Sequence, residues 1–265
     1  MFRSIIILNL FVLMSVVSLG LARLIENADD LVSGHTEELH TPSGVILGIS
    51  MLAGNLMLVL VLWMMKLVRR YPLRRNVSLG MKQWLLPTVG TLLLIFGLHL
   101  LLLPIGLEDN GQMDLFQSMK SNVLCIFLLC IVGPLTEEVV FREGILRSLV
   151  HRGLSPLSAA FVSALLFAVV HANWAQAVPA LVAGFVFGIL YIRADDIRLC
   201  GVAHVLNNTL AMLLLFFPAA ESYMVAMNLA LQLIVGAFLF IGGGVLVYCS
   251  GISVRGEKIL LFPEK

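Results

Sequence analysis

Ile131-Val-Gly-Pro-Leu-Thr-Glu-Glu-Val-Val-Phe-Arg-Glu-Gly144 decides how this chain is read, because it sets carboxylates and an arginine inside a run otherwise fit for lipid. Outward from it, the chain stays apolar. Apolar residues make up 60% of 265 positions and charged residues 12%, with a mean hydropathy of +1.00. A soluble domain carries about a quarter charged residues, because its surface must face water. Here the deficit runs along the whole length. Several segments reach the roughly 20 apolar residues needed to cross a ~30 Å hydrocarbon core. A segment in lipid must satisfy its backbone hydrogen bonds internally, which makes every span a helix. The expected fold is therefore all-α: a polytopic membrane protein with about eight helices in one bundle. The spans fall at 5–22, 45–65, 85–107, 122–141, 157–174, 177–192, 199–217 and 224–247.

Basic residues orient the bundle. With the N-terminus inside, the inner loops hold Arg3, Lys66, Arg69, Arg70, Arg74, Arg75, Lys82, Arg147, Arg152, Arg193, Arg198, Arg255, Lys258 and Lys265, which are 14 of the 17 Lys and Arg residues. Arg23 and Lys120 fall in outer loops, among Glu26, Asp29, Asp30, Glu37, Glu38, Glu108, Asp109 and Asp114. This places both termini in the cytoplasm, and the inner membrane is the location if the source is bacterial. A competing expectation makes residues 1–22 a cleaved signal peptide, with Leu-Ala before Arg23. The net charge of +1 gives no support for nucleic-acid binding. Cys125, Cys130, Cys200 and Cys249 lie in or beside apolar runs without metal-ligand spacing, and read as small core or lipid-facing residues.

Charges within a span cost about 2.5–3.5 kcal/mol each on insertion scales, so they mark function by default. Of sixteen Asp and Glu residues, Glu137, Glu138 and marginally Glu143 fall near a span. Glu138 and Arg142 are four apart, on one helical face and within ion-pair reach. Glu137 is rotated about 100° away. One carboxylate can thus be neutralised by Arg142 while the other is left free to exchange a proton. A purely structural ion pair would account for Glu138 and Arg142 but gives Glu137 no reason to be there. Pro134 and Thr136 precede the pair, so the helix is expected to kink or restart there. Phe167 and His171 are four apart late in the fifth span, and His204 and Asn208 are four apart in the seventh, with Asn207 beside them. His99 has no polar companion and reads as a packing residue. His35, His40 and His151 read as solvated loop residues.

Glu-Glu-x-x-x-Arg at 137–142, Phe-x-x-x-His at 167–171 and His-x-x-x-Asn at 204–208 resemble, in this order, the three motifs of the CAAX protease and bacteriocin-processing family, also called Abi, which includes the CAAX prenyl endopeptidase. The resemblance covers residues 122–213 as a catalytic core. Residues 1–107 are then accessory helices and 224–247 a C-terminal helix, within a single membrane domain 1–265. The resemblance implies an intramembrane endopeptidase that works without a metal. Its catalytic groups would be Glu137 as the base for water, Glu138 with Arg142 as the supporting pair, His171 holding the water or polarising the carbonyl, and His204 with Asn208 as the remaining polar wall. It implies a peptide or membrane-protein substrate, with or without a lipid group, cleaved near the cytoplasmic face of the bilayer.

Three other readings are open at this point. A zinc protease would use His171, His204 and Glu137 as ligands, although the compact His-Glu-x-x-His signature is absent. A bacteriocin-immunity or regulatory protein would keep the fold and bind a partner without chemistry. A transporter would use the same carboxylates but lacks repeated halves. One geometric difficulty accompanies the catalytic reading. In simple alternating topology, Glu137 and His204 lie toward the cytoplasm while His171 comes late in an outward span, some 5–10 Å deeper at ~1.5 Å per residue. Tilt, a kink at Pro134, or a fifth helix starting outside the bilayer at Pro156 would close the gap.

Overall fold

The computed structural model describes residues 2–33, 40–68 and 79–252. Glu37, Glu38, Arg69, Arg70, Arg74, Arg75, Arg255, Lys258 and Lys265, which enter the orientation, lie outside the described residues, as does His35, expected in a solvated loop. Among the described residues there is no strand. The long helices are α1 (Phe2–Glu26), α2 (Gly44–Met64), α3 (Met81–Leu102), α4 (Val123–His151), α5 (Pro156–Val169), α6 (Trp174–Ala194), α7 (Ile197–Phe216) and α8 (Leu229–Tyr248). Short helices at Ala28–Ser33, Gln112–Met119 and Pro218–Ala226 lie between them. Seven of the long helices are long and apolar enough to cross a membrane, and α5 is a shorter apolar helix of 14 residues. The chain is an integral, multi-pass membrane protein.

Two boundaries differ from the sequence expectation, each for a local reason. The span expected at 122–141 runs on to His151, because the charges at its far end are satisfied in place. Arg147 meets Glu143 one turn away at 3.5 Å, and Tyr191 donates to Glu143 at 2.9 Å. Helix α4 runs on through Pro134, which stands in the first turn of an α-helical segment that follows a π stretch. It widens into π turns over Leu128–Val132 and Val139–Leu146, with ordinary α-helix from Gly133 to Glu138 between them. Such turns are rare, and cluster at functional sites. Each π stretch lends a carbonyl to a neighbouring helix: Leu129 O accepts from the Asn208 amide at 3.2 Å, and Phe141 O accepts from the Ser163 hydroxyl at 2.8 Å.

The span expected at 157–174 is interrupted earlier. Ser155 caps the start of α5, and the helix stops at Val169, followed by a turn in which Ala172 takes φ +57°. Leu157, Phe161, Leu165 and Val169, spaced four apart, are exposed and form a lipid-facing stripe. The opposite face is made of small residues. Ala160 and Ala164 nest against Gly188 and Gly184 of α6, where a Cβ on Gly184 would come within 2.9 Å of the Phe167 ring. Lipid offers no hydrophobic drive between helices, so such small-residue seams let backbones approach and pack. Helices α3 and α8 use the same device, since a Cβ on Gly97 would fall 2.4 Å from Phe240 N, and one on Gly243 2.4 Å from Gly90 O.

Helix α1 is built into the bundle. Ile7 is fully buried against Gly144 of α4, and the Phe11 ring meets the edge of Phe141 at 5.5 Å. The core continues through Phe141, Phe167 and Phe187, which are all but fully buried where α4, α5 and α6 converge. All four cysteines are free thiols, Cys249 exposed and the others buried.

Candidate active site

Glu138 anchors the site. Its carboxylate is fully buried, 3.0 Å from Arg142 Nε through one oxygen and 2.9 Å from His204 Nδ1 through the other. Arg142 is equally buried, and its guanidinium lies over two phenyl rings, 5.2 Å from the centre of Phe167 and 5.6 Å from that of Phe187. A cation so enclosed is supported by the ring faces as well as by its carboxylate. Cys200, fully buried on α7, lies beside the same carboxylate.

His204 is held on three sides. Its ring stacks on Phe187 at 4.8 Å and 28°, and Phe167 meets it edge-on at 5.7 Å. Since a carboxylate accepts, the 2.9 Å contact fixes the proton of His204 on Nδ1 and turns Nε2 the other way. There Glu137 Oε2 lies 3.6 Å off, on a side chain that keeps a quarter of its surface exposed. The sequence reading left Glu137 without a partner; instead the imidazole sits between the two carboxylates. Neighbouring helical residues diverge by about 100°, and a ring from α7 fits into that angle and meets both.

His171 lies beyond the end of α5, in the turn that leads to α6. Its Nδ1 donates to Phe167 O at 2.7 Å, and its ring meets the Phe167 edge at 4.8 Å. The second ring nitrogen therefore carries the lone pair in the neutral form. Phe167 lies against both histidine rings, 4.8 Å from that of His171 and 5.7 Å from that of His204, and so links the turn after α5 to α7. The turn is also tied down from outside. Asn173 donates to His171 O at 3.0 Å while capping α6, Asn110 donates to Ala172 O at 3.1 Å, and Ala175 N donates to Glu108 O at 3.1 Å.

Asn208 lies one turn beyond His204 on α7. One N–H of its amide goes to Leu129 O, and its carbonyl accepts from Asn207 at 3.3 Å. Glu137, Glu138, Arg142 and His204 are thus in direct contact, His171 joins them through Phe167, and Asn208 joins them through α7 and the first π turn. Among the described residues, no three His, Cys, Asp or Glu side chains gather as a metal site. The sequence reading passed over Phe187, Asn173 and Tyr191. Asn173 carried a signal, an Asn followed three residues later by a Gln at a helix start. Phe187 carried none, since one phenylalanine among many in an apolar helix has no mark of its neighbours.

Residues 119–210, which hold Glu137, Glu138, Arg142, His171, His204 and Asn208, match the family described as Rce1-like, type II CAAX prenyl endopeptidase. A relative from Bacillus subtilis (strain 168), named "Putative membrane peptidase YdiL", is 29% identical over 132 residues, covering 50% of this chain and 53% of the relative. The chain thus spans about half the length of the curated relative it matches. No solved structure matches. Segment 119–210 is thus similar to the type II CAAX prenyl endopeptidase family, and the similarity spans the residues that form the site.

Proposed function

We propose that the protein is an intramembrane endopeptidase in which Glu137 activates a water molecule. The observation that carries the reading is the pairing of a clamped carboxylate with an accessible one across a single imidazole. Glu138, held by Arg142 and His204, is committed to structure, whereas Glu137 stands 3.6 Å from His204 Nε2 with part of its surface open. Amide hydrolysis needs a base for water, donors for the oxyanion and an acid for the leaving amine.

In the proposed step, Glu137 takes a proton from water as the water oxygen attacks the scissile carbonyl carbon. His171, whose Nδ1 proton is spent on Phe167 O, holds that water through the lone pair on Nε2. Negative charge moves onto the carbonyl oxygen, which accepts from the amide N–H of Asn208 not given to Leu129, while His204 stands beside Glu137 and fixes its position. The carbon–nitrogen bond then breaks, and the Glu137 carboxyl returns its proton to the departing amine. Glu138 and Arg142 position His204 and do not touch the substrate. The substrate is a peptide or membrane protein, with or without a lipid group, cut near the cytoplasmic face, and both termini are cytoplasmic.

The test is cleavage of fluorogenic peptides, prenylated and unmodified, by detergent-purified protein. Glu137→Gln is expected to lose at least ~100-fold in turnover, a typical size for a general base, while melting as the parent does. Cleavage by the parent protein is expected to survive a zinc chelator. Retained cleavage in Glu137→Gln overturns the assignment of the base. Activity removed by chelator and restored by zinc overturns the metal-free mechanism.

A further inference from the structure

A cavity lies outside the site just described, where the first turn of α1 meets the last turns of α4. It encloses about 230 Å³ and is lined by Arg3, Arg147, Arg152, His151, Glu143 and Ser148, with Leu67, Val68 and Gly144 along the rest of its wall. A water takes about 30 Å³ in the liquid, so this space holds far more than a bridging solvent molecule. Among the described residues, three guanidinium groups line it against one carboxylate. That carboxylate is already engaged, since Glu143 accepts from Tyr191 at 2.9 Å and pairs with Arg147 at 3.5 Å. Arg3, which also donates to Lys66 O, and Arg147 lie close enough to repel each other. The lining therefore carries an excess of positive charge focused on one space.

We propose that this cavity binds a phosphate-centred anion, and that the anion is the headgroup of an anionic phospholipid. Guanidinium forks match phosphate oxygens in two-point contacts. The position selects the lipid. Arg3 opens one membrane-spanning helix, and Arg147 and Arg152 stand at the last turn and just past the end of another, so the cavity lies where headgroups are concentrated. Leu67 and Val68 give it an apolar side against which the glycerol and upper acyl chain can rest. A basic pocket between helix ends is the arrangement that takes lipid headgroups. The bound lipid bridges α1 to the end of α4, the helix that also carries Glu137 and Glu138.

Native mass spectrometry of the full-length protein, titrated in mild detergent with phosphatidylglycerol or phosphatidylcholine, tests this. The parent is expected to retain one phosphatidylglycerol in preference to phosphatidylcholine. Arg3→Gln/Arg152→Gln is expected to lose that preference by roughly tenfold or more, given the usual worth of each basic residue at an anionic surface. Both arginines are exposed and outside the buried ion pairs, so the variant folds. Arg193→Gln/Arg198→Gln removes the same charge elsewhere and is expected to keep the preference. Inorganic phosphate that displaces the lipid and is itself lost in Arg3→Gln/Arg152→Gln supports the site with soluble phosphate as its source. Equal retention of both lipids by the parent, or equal loss in the two double variants, overturns the proposal.

Discussion

Glu137 and Glu138 are adjacent in sequence and opposite in circumstance. Removing the first takes away a partly exposed carboxylate; removing the second leaves a fully buried guanidinium without its counter-charge. Stranding a buried charge costs about 3–5 kcal/mol. Glu138→Ala is therefore expected to melt well below the parent in detergent, whereas Glu137→Ala melts with it. Replacing the pair together, as Glu138→Leu/Arg142→Met, is expected to recover most of the lost stability, because an apolar pair of similar volume needs no desolvation. It should recover no activity, since His204 loses the acceptor that orients it. A double variant as unstable as Glu138→Ala would show that the pair is not what holds this part of the bundle. The Glu138–Arg142 spacing was legible in sequence because a helix has a fixed period. The bridging position of His204 was not, because it depends on how α7 lies against α4.

Small-residue seams set where the helices lie, and they separate two kinds of damage. Gly243 in α8 approaches the backbone of α3, where a Cβ would fall 2.4 Å from Gly90 O and 2.5 Å from Leu94 N. Backbone atoms cannot step aside, so Gly243→Ala is expected to cost about 1–3 kcal/mol as an overpacked contact. Activity per folded molecule should be unchanged. Gly184 in α6 instead approaches the Phe167 ring, which lies under Arg142 and against both histidines. Gly184→Val is expected to lower kcat by tenfold or more even in the fraction that stays folded. Melting curves beside single-turnover rates check both; equal rates per folded molecule in the two variants would mean that the α5–α6 seam does not position the site. Hydropathy located the helices but mistook two of their ends. It treats Arg142, Glu143 and Arg147 as reasons to stop a helix, although Glu138 pairs with Arg142, Tyr191 donates to Glu143, and Glu143 pairs with Arg147. It treats Val169 and Val170 as reasons to continue one, although the chain turns at Ala172.

The number of crossings ties the shape of the whole molecule to α5. Both termini lie on one side only if the eight long helices all cross, and α5 has 14 residues, about 21 Å at helical rise. The placement of the basic residues favours eight crossings, so reporter fusions at the two ends are expected to report the cytoplasm in both cases. Opposite locations would mean that α5 dips into the bilayer and returns. A 21 Å helix with a lipid-facing stripe along its length, next to helices of 20 residues and more, presents the surrounding lipid with two thicknesses at once. Where α5 crosses, the leaflets pinch beside it or shorter acyl chains gather there, at a fraction of a kcal/mol per ångström of mismatch.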